Sequence, residues 1–231
     1  MTHESEGETS VKAVLFDLGG TLVSYTEIPE VYRKMLEAHG ITRSIEEISH
    51  AQKEVEKHLD IKKLAVLFEE YWIRWNLLIL RWLGIKENAE ALAETIADQW
   101  WDYADVMLYP DVEETLQKLR VMGLKIGIVT NGLESDYAQI LRKVGLLDFF
   151  DVQVGIDNVG KMKPHRDIFL YALNKLEASP SETLFVGDQL IEDYEGAKKA
   201  GLTPLLIDRD NVIGSNVEKI GSLKEIMNHL R

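Results

Sequence analysis

Five short apolar runs recur along the chain: "KAVLF" from Lys12, "LKIGIVT" from Leu124, "FDVQVG" from Phe150, "TLFVGD" from Thr183 and "TPLLID" from Thr203. Each is rich in β-branched or aromatic residues and bounded by turn-forming residues, which predicts central strands. Between them the spacing of apolar positions predicts helices over Asp111–Met122, Ser135–Val144, His165–Leu176 and Glu192–Ala200. Strands alternating with helices imply right-handed crossovers, hence a doubly wound α/β core with a mostly parallel sheet covered on both faces. From Ser24 to about Asp105 the pattern changes. No convincing strand is present there, and helix signals dominate: Pro29 in a first turn, a capping box from Ser44 to Glu47, and Gly40 and Gly84 as stops. We therefore expect a core of residues 1–23 and 106–231, interrupted by a four-helix insert over 24–105, with hinges at 24–29 and 106–110. All five Trp, at 72, 75, 82, 100 and 101, fall in the insert, and most are expected to pack its own core.

Composition narrows the class. The 231-residue chain is 45% hydrophobic and 28% charged, as a globular protein with a sizeable core should be. Its polar start, "MTHESEGETS", lacks the apolar stretch of a secretory signal, so a cytoplasmic location and a frayed N-terminus are expected. The most apolar long segment, Leu64–Gly84, is broken by Glu69, Glu70, Arg74 and Arg81, which favours an amphipathic helix over a membrane span. A formal net charge of -13 without clustered Lys and Arg argues against a nucleic-acid partner. With no cysteine, disulfides, thiolate metal sites and Cys nucleophiles are excluded. The chemistry must come from oxygen and nitrogen groups.

In an open parallel sheet, ligands bind beyond the carboxyl ends of the strands. There the sequence places Asp17 after the first run, Thr130 and Asn131 after the second, and Asp188, Glu192 and Asp193 in "GDQLIED". The loop "VGKMKPHRDIF" adds Lys161 and Lys163. Carboxylates facing one another would repel and raise each other's pKa unless a cation joins them. Mg²⁺ suits an all-oxygen site, taking one or two protein carboxylates and leaving positions for water and a substrate phosphate. Thr130 could donate its hydroxyl to that phosphate, helped by backbone N–H groups at the start of the following helix. His39, His50, His58 and His165 are expected at surface or packing positions, and Asp208 and Asp210 as loop acids.

In order and spacing, "FDLGGTLV", "IVTNG", "KPHRDIF" and "VGDQLIEDYEGAKKAG" resemble the four motifs of the haloacid dehalogenase superfamily, with a helical cap inserted after the first. The resemblance covers nearly the whole chain. It implies a Rossmann-like core and a hydrolase acting on a small phosphorylated metabolite through an aspartyl phosphate. Asp17 would be the nucleophile, Thr130 the phosphate binder with Asn131 beside the substrate, and Lys163, directly before Pro164, the motif lysine. Asp188 and Asp193 would form the acidic pair for Mg²⁺, with Asp17 and the backbone carbonyl of Gly19 completing the metal site.

One residue departs from the pattern. Phosphatases of this superfamily usually carry a second Asp where this chain has Gly19, as the acid that protonates the leaving oxygen. Such a group contributes about 10² to 10⁴ in rate. Three outcomes stay open: a phosphatase in which another group or a good leaving group replaces that acid, a C–halogen or C–P bond-cleaving hydrolase, or a non-catalytic phospho-ligand binding protein. The C–P branch would need a cap lysine for a Schiff base, with Lys34, Lys53, Lys57, Lys62 and Lys63 as candidates; the acid-rich "GDQLIED" argues against metal-free dehalogenation.

Overall fold

The computed structural model describes residues 11–58, 68–214 and 216–230; the N-terminal decapeptide, Lys62 and Lys63 lie outside them. The chain runs β1 (Ala13–Phe16), β2 (Val23–Tyr25), then α1 (Ile28–Ala38), α2 (Ile45–His58), α3 (Phe68–Trp82) and α4 (Ala89–Tyr103). It continues through β3 (Val106–Leu108), α5 (Val112–Val121), β4 (Lys125–Val129), α6 (Glu134–Lys143), β5 (Val152–Val154) and α7 (Arg166–Leu176). Last come β6 (Thr183–Gly187), a π turn at Leu190–Glu195, α8 (Gly196–Ala200), β7 (Thr203–Ile207), β8 (Lys219–Ile220) and a 3₁₀ turn at Leu223–His229. Two compact units result, one from the residues up to Ser24 together with those from Met107 onward, the other from Tyr25–Val106.

The first unit is built on a six-stranded sheet of order β5-β4-β1-β6-β7-β8, every pairing parallel. All four β1 residues are fully buried, which is why this strand is a continuous apolar run rather than an alternating one. The chain moves from β1 outward to β4 and β5, then returns to build β6, β7 and β8 on the other side. β1 thus lies at the topological switch point, where such sheets leave a crevice. Phe16 is level with Ile128 on β4 and Val186 on β6, so the three loops that follow emerge side by side.

The sheet has one strand more than the apolar runs suggest. β8 is two residues long and β2 and β3 are three each, too short for a periodicity to register. A second difference bears on the site. The helix expected over Glu192–Ala200 is instead the π turn followed by α8. In that turn the N–H groups of Asp193 and Tyr194 both reach the Gln189 carbonyl, at 3.0 and 3.2 Å. Apolar spacing over nine residues cannot distinguish this wide turn from an α-helix.

The second unit holds four helices among its described residues, around Val31, Tyr32, Met35, Ile48, Ile79 and Ile96. Ser44 and Glu47 form the capping box, with bonds of 2.8 and 3.2 Å. Trp75 is buried, and Trp100 and Trp101 pack against the same core, but Trp72 and Trp82 are 40% and 52% exposed. The buried Asn76 is satisfied, accepting from the Tyr32 hydroxyl and donating to the Ala93 carbonyl at 3.2 Å. Among the described residues no helix is long and apolar enough to cross a membrane.

Asp111, at the start of α5, ties the segments that follow β7 and β8 to this helix. Its carboxylate accepts from both Arg209 terminal nitrogens at 3.0 and 3.1 Å, and from the Ser222 hydroxyl and the Leu223 N–H at 2.8 Å each. Arg209 also lies 3.8 Å over the Tyr109 ring. Burial works to raise the Asp111 pKa, yet the bonds from Arg209, Ser222 and Leu223 hold it below the usual range. Asp111→Ala is expected to lower stability by about 2 kcal/mol at pH 7, because it leaves Arg209 with only the Thr21 carbonyl, at 2.7 Å, as acceptor and a buried N–H unpaired. A carboxyl with a depressed folded pKa stabilises above its unfolded pKa and loses that contribution as pH falls through the folded value. The gap between variant and wild type in urea unfolding should therefore narrow below about pH 4.

Candidate active site

Strand register brings the chemistry together. Asp17 follows β1, Thr130 follows β4 and Asp188 follows β6, while the π turn swings Asp193 inward. Asp17, Thr130, Lys163 and Asp193 are all less than a tenth exposed, which is unusual for such groups unless paired. Two glycines make the acidic cluster possible. A Cβ at Gly187 would collide with the Asp193 carboxylate, and one at Gly20, which has φ +75°, would collide with that of Asp188.

Lys163 is the link between the acids. Its Nζ donates to Asp17 Oδ1 at 2.5 Å and to Asp193 Oδ1 at 2.6 Å, and sits 5.6 Å from the centre of the Phe185 ring. Burial pushes its pKa down, but the attraction of Asp17 and Asp193 more than reverses this, so it stays charged. Lys161, two residues earlier, is exposed. For Asp17 burial dominates, and with repulsion from Asp193 and Asp188 it outweighs the pull of Lys163, lifting the pKa to about 7. Asp188 is also raised, chiefly by burial and further by Asp193.

Oxygens of Asp17, Asp188 and Asp193 lie within 4.8 Å of one another. Asp188 Oδ1 is buried without a hydrogen-bond partner. Three converging carboxyls, one of them with a buried and unpartnered oxygen, face a single ammonium group; a hard divalent cation would balance the excess negative charge and reverse the upward shifts.

Two of the groups expected at the phosphate are engaged elsewhere. Thr130 Oγ accepts from the Gly132 N–H at 3.2 Å, which leaves its own proton available to a ligand. The N–H of Glu134 at the start of α6, however, is already taken by both Asp157 oxygens, at 3.0 and 3.1 Å. The Asp136 N–H likewise turns to the Leu133 carbonyl, at 3.1 Å. Asn131 turns its amide onto the main chain of Lys163, accepting from its N–H at 2.7 Å and donating to its carbonyl at 3.3 Å. Both amide groups are thereby committed to holding the lysine in place. Glu192 is half-buried and stands apart from the cluster, and His165 caps α7, accepting from the Asp167 N–H at 3.3 Å.

Residues 11–201 match the family model for haloacid dehalogenase-like hydrolases. The chain belongs to that family. It is 32% identical to the glyceraldehyde 3-phosphate phosphatase of Methanopyrus kandleri, an alignment spanning 86% of this chain and 84% of the relative. It is 31% identical to the phosphoglycolate phosphatase of Yersinia pseudotuberculosis, over 83% and 78% of the two chains. Among solved structures, a HAD phosphatase from Thermococcus onnurineus superposes with a TM-score of 0.65 at 32% identity, covering 95% of this chain and 98% of that one.

Within this haloacid dehalogenase-like hydrolase, three features of the site have roles that the motifs did not disclose. Gly187 and Gly20 matter through the space they leave. Asp157 is an acid in an unremarkable loop, 23 residues beyond the N–H it caps. Gln189 sits between two recognised acids, and its polar length was the only available signal.

Proposed function

We propose that this chain is a Mg²⁺-dependent phosphatase of small phosphorylated metabolites that works through an aspartyl phosphate on Asp17. The observation that carries the reading is the constellation of buried Asp17, Asp193 and Lys163 with half-buried Asp188 at the switch point of the sheet. The phosphatases to which the chain is similar support the substrate class. Lys163 holds Asp17 Oδ1, so Oδ2 is the oxygen that attacks phosphorus in line as the ester oxygen departs. Water then hydrolyses the acyl phosphate and regenerates the carboxylate. Thr130 and Lys163 bind the phosphoryl oxygens. Asp17, Asp188 and the Gly19 carbonyl would hold the ion. Asp193, with one oxygen on Lys163 and the other on the Gln189 N–H, supports them from behind. When bound, the cation offsets the negative charge of nucleophile and phosphate.

Gly19 offers no proton to the leaving oxygen, so aryl and acyl phosphates, whose leaving groups are stable as anions, should react much faster than alkyl phosphates. The left-handed backbone position in this turn is Gly20, not Gly19, so the backbone at residue 19 does not itself demand glycine. Gly19→Asp is expected to accelerate alkyl phosphate hydrolysis by about 10-fold and aryl hydrolysis much less. The check is phosphate release from both substrate types, with and without Mg²⁺. An unaltered aryl-to-alkyl ratio in a variant that folds and binds Mg²⁺ normally would mean that another group supplies the proton. Haloacid turnover in chelator without any phosphate release would overturn the phosphatase reading.

A further inference from the structure

Gln189 touches both acids of its loop. Its main-chain N–H donates to Asp193 Oδ2 at 2.9 Å, and its side-chain Nε2 donates to Asp188 Oδ2 at 2.8 Å. Lys163 takes Asp193 Oδ1 at 2.6 Å. The remaining oxygen of this acidic pair, Asp188 Oδ1, is buried and unpartnered. A carboxylate has two equivalent oxygens and turns readily about its Cβ–Cγ bond, so presenting one particular oxygen requires a constraint.

We propose that Gln189 is a positioning residue for cation binding: its carboxamide anchors Asp188 Oδ2 and thereby presents Oδ1 as a single, oriented ligand. This rests on the Mg²⁺-dependent reading above. The amide can face the carboxylate only through its N–H₂ group, because the opposite flip would set two acceptor oxygens against each other. The donor is neutral, so it orients Asp188 without cancelling the charge a cation needs, whereas a lysine here would compete with the metal. Gly20 crowds the same oxygen, since a Cβ there would collide with Asp188 Oδ2. Partners that hold a metal-binding side chain in this way typically change metal affinity by 10- to 100-fold when removed.

The test is calorimetric titration of Mg²⁺ into the full chain as wild type, Gln189→Met and Gln189→Ala. Methionine keeps the length and bulk of glutamine without the donor. Both variants are expected to bind Mg²⁺ about 10-fold more weakly, at the low end of that range because Gln189 is exposed. The Mg²⁺ concentration for half-maximal phosphate release should rise by the same factor, the rate at saturating Mg²⁺ should change less, and the metal-free Tm should stay within about 2 °C. Affinity within 2-fold of wild type for Gln189→Met would overturn the proposal, even if Gln189→Ala were weaker, because bulk rather than the hydrogen bond would then be responsible. Unchanged affinity with a lowered saturated rate would overturn it too. A wild-type chain that takes up no Mg²⁺ would overturn the metal-dependent reading itself, a result distinct from variants that bind as tightly as wild type.

Discussion

Asp17→Asn should reduce phosphate release by more than about 10³-fold while leaving the protein folded. The amide is nearly isosteric and its oxygen can still accept from Lys163 Nζ, so the 2.5 Å contact that orients residue 17 survives. What is lost is the anionic oxygen that attacks phosphorus. The substitution also removes a carboxyl whose ionisation burial resists, so the metal-free Tm should not fall. Steady-state kinetics at saturating Mg²⁺, beside a thermal melt, separate the two effects. More than a few per cent residual activity in a purified variant would take the nucleophile's role away from Asp17.

Lys163→Met should strike stability and activity together. Breaking a buried ion pair by removing one partner typically costs about 3–5 kcal/mol, because the remaining charge has neither water nor a counter-ion. Lys163 is 2% exposed at its side chain and faces Asp17 and Asp193, which are 11% and 1% exposed, so both acids would be left uncompensated. A fall of at least about 3 kcal/mol in the metal-free protein is expected, read by urea unfolding in EDTA. Mg²⁺ should restore part of it by supplying positive charge to the same carboxylates. Activity should stay at least about 100-fold below wild type at any Mg²⁺ concentration, since the metal cannot replace the donor that fixes Asp17 Oδ1. Equal stability of variant and wild type in EDTA would show that the acids are protonated there and that the lysine is not their counter-ion.

How much was legible beforehand follows from what each feature depends on. Alternation of apolar runs with helical spacing is a local property, so the order of the main strands and helices could be read directly. Asp17, Thr130 and Asp188 could be placed too, because each stands where an apolar run ends and the chain must turn. The short strands β2, β3 and β8 were not, since two or three residues carry no period.

The choice between lysines shows where sequence stops. Lys161 and Lys163 are alike in chemistry and two residues apart; the family resemblance pointed to Lys163, but only the fold shows one exposed and the other within 2.6 Å of two acids from distant loops. The same holds for Asn131, which by residue type could face a substrate but binds the main chain of a residue 32 positions away. The sequence by itself determined the alternating α/β pattern, the helical insert and the set of groups available for chemistry, because hydrophobic spacing and residue type act locally. Only the tertiary structure decided which oxygens face one another, that Gly20 and Gly187 leave room for the two acids, and that Asp188 Oδ1 alone of the Asp188–Asp193 oxygens lacks a partner. Those outcomes depend on the register between parallel strands and on a π turn whose geometry is set by contacts across the fold, and neither is encoded in any short window of residues.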